Sequence, residues 1–355
     1  MDPSPKILII GAGVFGLSTA LHLARRGYTN IHLFDSQDYV SNAYHSSASA
    51  SCDENKIIRA SYGDSVLYRD LAFEAIDEWE KWNGESGRKL WDRCGLLRIG
   101  QELSEGEGRT QANLRGVSDA GDRRRAEGDG VLRAKLDPLG RVARGLEVDG
   151  YFDGSAGFVM ASEACEFALH LCRKAGVQTL FGLGNGVVSL IKTENKVTGI
   201  LTADGTSHPS DLVIVACGGW TPSFLPETED LIETTAGSII TFRLPIHRQD
   251  LWGKFAPKNF PVWCWNMSSY DREKRRVAGI FGFPRTSEGV VKLCFTGAQW
   301  TDYTHRSQES DRLISFPRTE TDGKIPEEAM LALRSFCAEN LPELLDLEPE
   351  QCRLC

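Results

Sequence analysis

Gly11, Gly13 and Gly16 stand in GAGVFG directly after the apolar run ILII at Ile7 to Ile10. The GxGxxG spacing offers backbone rather than side chains. Gly11 permits a tight turn, Gly13 lets the main chain approach a pyrophosphate, and Gly16 lets a following helix pack closely on the strand, with the phosphates at the helix N-terminus. A second strand, IHLFD, closes on Asp35. That carboxylate falls at the spacing of about 20 residues at which an acid reaches a ribose hydroxyl. Together these residues predict a dinucleotide site.

The elements that must position this chemistry follow from periodicity. LSTALHLARRG carries apolar residues at helical spacing and stops at Gly27, so strand, turn, helix and strand succeed one another as the motif requires. Far downstream, DLVIVACGGWTPSFLP brings a strand at Leu212 to Ala216 into Gly218, Gly219 and Trp220, a second glycine turn built opposite the first. A nicotinamide dehydrogenase needs no such second turn, whereas a large flavin spanning two segments does. The runs Leu67 to Trp82 and ASEACEFALHLCRKAGV read as amphipathic helices. Lys89 to Gly100 reads as a helix end feeding a strand, and NGVVSLIKTENKVTGILTADG as a pair of hairpin strands. From Glu102 to about Gly145 the pattern fades into Gly, Arg, Asp and Glu. The RRR run at Arg123 to Arg125 is surrounded there by charges and lacks interleaved aromatics, which fits a solvated loop rather than a nucleic-acid patch.

A chain of 355 residues with 41% apolar composition suggests two domains. Its formal net charge of -9 disfavours nucleic acid or an anionic membrane as partner. No window approaches the apolar length of a transmembrane helix, and an intracellular location is expected. The ten cysteines are scattered through expected strands and helices and read as buried thiols rather than disulfides. CRLC at Cys352 to Cys355 has CxxC spacing without a second pair, so no metal site is expected.

GAGVFG, DENKIIRASYGD, GLLRIG, VIVACGGW and EGVVKLCFTG, in that order, resemble the monomeric sarcosine oxidase family. That family oxidises secondary amines of amino acids, among them sarcosine, pipecolate, saccharopine and fructosyl amino acids, with FAD and molecular oxygen. NKIIR is most similar to its fungal saccharopine oxidase-like branch. The resemblance implies an α/β chain, α+β overall, with an FAD-binding Rossmann-like domain and a mixed-sheet substrate domain. It assigns 1–90 and 151–228 to the FAD-binding domain, and 91–150 and 229–355 to the substrate domain. It also implies a monomer located in the cytoplasm or the peroxisome.

Carried over residue by residue, the resemblance places Lys56 and Arg59 on the active-site face of the flavin. Arg59 would hold the substrate carboxylate, and an arginine fork suits a carboxylate bidentately. Lys56 stands where the family commonly has arginine. Lys292 in GVVKLCFTG matches the lysine beside flavin N5 that helps dioxygen accept electrons. Without the resemblance, a lysine in an apolar strand equally suits an edge-strand charge, and Lys56 and Arg59 suit surface salt bridges. Val187 joins Gly11, Gly13, Gly16, Asp35, Gly218, Gly219 and Trp220 in the expected cofactor set, and Cys355 matches the cysteine joined to the flavin through sulfur.

The implied reaction takes a hydride equivalent from the carbon beside a neutral amine, gives an imine that water hydrolyses, and passes the electrons to oxygen to make hydrogen peroxide. The family's further strands, second lysine and glycine-rich turn after this cysteine have no counterpart here. Cys355 is therefore expected to be poorly oriented, and a truncated, weakly active or inactive FAD-binding relative competes with the oxidase. A nicotinamide-dependent Rossmann oxidoreductase is the third alternative.

Overall fold

The parallel pairing of Ile7–Ile10 with both Ile31–Asp35 and Leu212–Val215 sets the architecture of the first of two compact units. The computed structural model describes residues 4–39, 44, 49–63, 65–100, 117–119, 134–146, 149–267, 279–307, 310–317 and 324–355. The first unit comprises 1–54, 160–235 and 301–320, and the second 55–159, 236–300 and 321–355. The fold is α/β, α+β overall. The chain first changes unit between Glu54 and Asn55, not near residue 90. Lys56–Ile58 leaves the first unit because it pairs antiparallel with Gly157–Val159.

In the first unit the sheet order is Leu212–Val215, Ile7–Ile10, Ile31–Asp35, Gln178–Phe181, all parallel. ILII is buried at all four positions, as a strand covered on both faces should be. Leu8, Ile10, Phe34 and Ile200 form one apolar cluster, and each buried side chain of this size contributes roughly 1.5–3 kcal/mol. Val14–Arg25 buries Gly16, Leu17, Ala20 and Leu21, spaced for one helical stripe. Ala161–Lys174 packs on it, where the Cys172 thiol reaches the Leu17 carbonyl at 3.4 Å.

In the second unit, the described residues form an eight-stranded sheet. Its order is Gln351–Leu354, Ala236–Arg243, Val290–Trp300, Ile280–Gly282, Val262–Trp265, Leu96–Gly100, Asp149–Asp153, Val117–Asp119. One face is apolar: Ile240, Phe242, Val291, Leu293, Phe295, Trp263 and Leu97 cluster with Leu333, Phe336 and Cys337 of the helix Glu327–Asn340. Trp263 stacks on Phe336 with ring centroids 5.0 Å apart. Alternation along the strands sends Lys292, Cys294 and Thr241 to the other face.

The helix expected over Leu67 to Trp82 spans Val66–Ser86. It ends at Gly87, whose φ of 66° stops it, so Lys89 is past the helix and Trp91–Asp92 is a short strand. The hairpin is present as Val187–Thr193 paired with Lys196–Thr202. Most of the faded stretch, including Arg123 to Arg125, lies outside the described residues. All ten cysteines are thiols, as expected. Among the described residues no helix is long and apolar enough to cross a membrane.

Candidate functional site

The glycine turn closes the end of the first strand, and each glycine answers a different constraint. Gly11 sits at φ 101°, and a Cβ on it would lie 2.4 Å from the Ala216 carbonyl oxygen on the neighbouring strand. A Cβ on Gly16 would lie 1.8 Å from the Gly11 carbonyl oxygen. Those two are glycine because the fold closes on itself. Gly13, with φ of -70°, has ordinary backbone, and the closest atom a Cβ there would meet is the Ser51 hydroxyl at 3.3 Å. Its bare backbone is thus required by no part of the turn, which is the situation expected where a pyrophosphate approaches. The residues present fit FAD at its nucleotide end.

Asp35 ends the second strand and accepts two backbone hydrogen bonds, from Ala12 N–H at 2.7 Å and Gln37 N–H at 2.8 Å. A carboxylate has about four acceptor sites, so a ribose hydroxyl can still bind. Burial raises its pKa above the usual carboxylate range, against the pull of the two N–H groups. Asp35 therefore also ties the glycine turn to the second strand, a duty that motif spacing does not disclose.

Three more residues outside the motif support the turn. The Ser51 hydroxyl accepts the Val14 N–H at 2.9 Å at the start of the helix. Tyr44 donates its hydroxyl to the Ala12 carbonyl at 2.5 Å, and its ring stacks on Tyr39 with centroids 4.4 Å apart. Burial pushes both tyrosine hydroxyls well above their ordinary pKa, keeping them neutral donors. Their only signal in the sequence is a small-residue run, SSASAS, that follows the two tyrosines.

Gly218 and Gly219 follow the strand that flanks the first. Gly218 has φ 54°, and a Cβ on it would meet nothing within 4 Å, so open space adjoins it. At Gly219 the close approach comes from Thr234 and Pro317, and Thr234 donates its hydroxyl to the Gly219 carbonyl at 2.8 Å. Trp220 is half-buried in the same turn. Val187 pairs with Thr202 and packs on the cluster containing Leu8 and Phe34.

The second unit gathers the remaining expected residues. Lys292 is 1% exposed, donates from Nζ to the Asn55 carbonyl at 2.7 Å, and lies over the Phe283 ring, 4.7 Å from its centroid. A buried ammonium needs such partners to offset lost hydration. Lys292 is on a central strand, which removes the edge-strand explanation. Lys56, one residue after Asn55, donates to the Cys355 sulfur at 3.5 Å. Arg59 donates to the Ser61 carbonyl and covers the Tyr62 ring at 4.2 Å. Neither Lys56 nor Arg59 is a bare surface charge.

Cys355 is not frayed. Its N–H bonds the Gly237 carbonyl at 3.0 Å and its carbonyl accepts the Gly237 N–H at 2.9 Å, extending the pairing of Gln351–Leu354 with Ala236–Arg243. Cys352 and Leu354 belong to the apolar cluster, so alternation puts Cys355 on the opposite face, with Lys292. Two cysteines three apart on a strand cannot share a metal, for the same reason. Asn55 is fully buried, and both polar atoms of its amide have no hydrogen-bond partner among the described residues. It is the first residue of NKIIR, and nothing in the motif itself marks it as the partner of a lysine.

A dinucleotide turn in one unit, and in the other a buried lysine sharing a sheet face with a lysine-bound thiol, define a flavoprotein oxidoreductase. The chain belongs to the FAD dependent oxidoreductase family, whose model matches residues 6–354. It is 26% identical to an L-saccharopine oxidase of Schizosaccharomyces pombe, over 99% of this chain and 79% of that protein. It is 23% identical to an N-methyl-L-tryptophan oxidase of Yersinia pestis, over 88% of this chain and 78% of that one. Among solved structures, it matches a fructosamine oxidase, Amadoriase II, of Aspergillus fumigatus with TM-score 0.75 and 27% identity, covering all of this chain and 76% of that one.

Proposed function

We propose that this protein oxidises the C–N bond of a secondary amine in an amino acid, with dioxygen as the final acceptor. The observation that carries this reading is Lys292, a cation fully buried on the sheet face it shares with Cys355 and held by the Asn55 carbonyl. The relatives named above all take their names from amine oxidation or from amine substrates, which supports the same class of donor.

FAD, when bound, supplies the two-electron acceptor and returns those electrons to oxygen as hydrogen peroxide. The amine loses two electrons and two protons and becomes an imine, which water hydrolyses. Arg59 binds the substrate carboxylate through its planar fork, with the guanidinium plane fixed by the Tyr62 ring. Lys292 provides a preorganised positive charge where negative charge develops on oxygen, and burial keeps water from screening it. Gly13, Asp35 and Gly218 hold the nucleotide end, with Gly11, Gly16, Val187, Gly219 and Trp220 shaping the turns. Lys56 fixes the Cys355 sulfur for covalent attachment. This reading has a monomer acting in the cytoplasm or the peroxisome, checked by light scattering and by fluorescence tagging.

The test is Lys292→Met followed by rapid mixing of the reduced holoenzyme with oxygen. Loss of one preorganised charge slows reoxidation by about 10²-fold while amine binding stays within a few fold. Unchanged reoxidation rejects the role of Lys292. Failure of any secondary amino acid to reduce the bound flavin rejects the activity.

A further inference from the structure

The chain returns to the first unit over 301–320, where Asp302–Ser307 pairs antiparallel with Ser310–Phe316. This hairpin is strapped to the segment just before Ala236. The Thr301 and Tyr303 hydroxyls each donate to the Glu233 carboxylate at 3.0 Å, and the buried Ser315 hydroxyl accepts the Thr234 N–H at 2.9 Å. Thr234 in turn donates its own hydroxyl to the Gly219 carbonyl at 2.8 Å. A Cβ on Gly219 would lie 2.8 Å from Thr234 Cγ2 and 3.0 Å from Pro317 Cγ, so strap and turn are in close contact. The other two carbonyls of the turn are held locally: that of Cys217 accepts the Trp220 N–H at 3.0 Å, and that of Gly218 accepts the Thr221 hydroxyl at 2.7 Å. The bond from Thr234 arrives from 15 residues away and carries the hold of the hairpin with it.

Resting on the assignment of the second glycine turn to FAD, and not on the identity of the amine, we infer that Thr234 is a positioning residue for the cofactor, acting through Gly219 and itself fixed by Ser315. Two adjacent glycines are the most pliable backbone a chain can offer, and a pliable turn must be ordered each time it binds. Cys217 and Gly218 have right-handed and then left-handed backbone, with φ of -80° and 54°, which gathers successive N–H groups on one side. In a trans peptide the N–H points opposite to the C=O. Drawing the Gly218 and Gly219 carbonyls toward Thr221 and Thr234 therefore sets the direction of the N–H groups that the turn presents. The hydroxyl of Thr234 completes that arrangement before the cofactor arrives.

The experiment titrates full-length apoprotein with FAD, following flavin fluorescence, in a Cys355→Ser background that keeps binding reversible. Thr234→Val removes the hydroxyl at nearly constant shape, Thr234→Ser keeps it, and Ser315→Ala removes the acceptor of the Thr234 N–H. Thr234→Val weakens FAD binding by about tenfold, the worth of one hydrogen bond, and Thr234→Ser restores it to within about twofold. Ser315→Ala weakens it by a smaller factor, and the visible circular dichroism of the bound flavin changes in Thr234→Val but not in Thr234→Ser. A hydroxyl that served only the fold would lower the Tm of the apoprotein while leaving FAD affinity and the flavin dichroism unchanged, and that result overturns the inference. Should Thr234→Val not fold, Ser315→Ala decides: weaker FAD binding supports the inference and equal binding overturns it. Apoprotein with unsubstituted Thr234 that takes up no FAD overturns both the turn assignment and the inference. Absence of amine turnover by the FAD-loaded protein rejects the oxidase reading alone, and the affinity comparison still decides the role of Thr234.

Discussion

Lys56 Nζ lies 3.5 Å from the sulfur of Cys355, although 299 residues separate them in the chain. The contact joins two different sheets, since Lys56 belongs to the small sheet with Gly157–Val159 and Cys355 extends the edge of the large one. Acid-precipitated wild-type protein should retain its yellow colour. Cys355→Ser releases all of it to the supernatant, and Lys56→Met lowers the retained fraction without changing the fold. Colour that is released equally from wild type and Cys355→Ser would end the covalent assignment.

Two glycines of the turn should respond differently to alanine. Gly16→Ala forces a methyl group against the Gly11 carbonyl and costs about 3 kcal/mol, read as a lowered Tm of the apoprotein. Gly13→Ala leaves a backbone that any residue adopts, costs about 1 kcal/mol as a helix cap, and abolishes flavin binding. Flavin affinity retained in Gly13→Ala would show that no pyrophosphate approaches there.

Asp35 makes the stability of the apoprotein depend on pH. Its carboxyl is raised by burial, so the folded state holds this proton more tightly than the unfolded chain does. The stabilisation is complete below the ordinary carboxylate pKa and is lost as pH rises through the raised value. Relative to Asp35→Ala, which leaves the Ala12 and Gln37 N–H groups without their acceptor, wild type should have its largest advantage below the ordinary carboxylate pKa and a smaller one as pH rises above it. Thermal melts of both proteins across that range check it. An advantage that grows with pH would mean that the two N–H bonds outweigh burial.

What can be read in the sequence is what depends on near neighbours. The glycine spacing, the apolar strand before it and the helix after it are fixed within a few residues of one another, and they stand where the pattern puts them. The surroundings of Lys292 are hidden from such reading, because the Asn55 carbonyl that holds it is 237 residues away. Cys355 looks loose in the sequence because nothing near it restrains it, whereas its partner is Gly237 on an adjacent strand. Lys89 looks like part of a helix end because charge and aromatic periodicity continue toward it, which masks the left-handed Gly87 that has already stopped Val66–Ser86.

The hydrogen-bonded pair of Gly237 and Cys355 would make any flavin attachment through this sulfur conditional on assembly. Sliding Gln351–Leu354 by one residue against its neighbour would turn the thiol into the apolar core and push Leu354 out. A bond through this sulfur would therefore act as a proofreading mark, recording that two distant stretches of chain have met in the right register. Bound colour would then count correctly assembled molecules rather than protein alone.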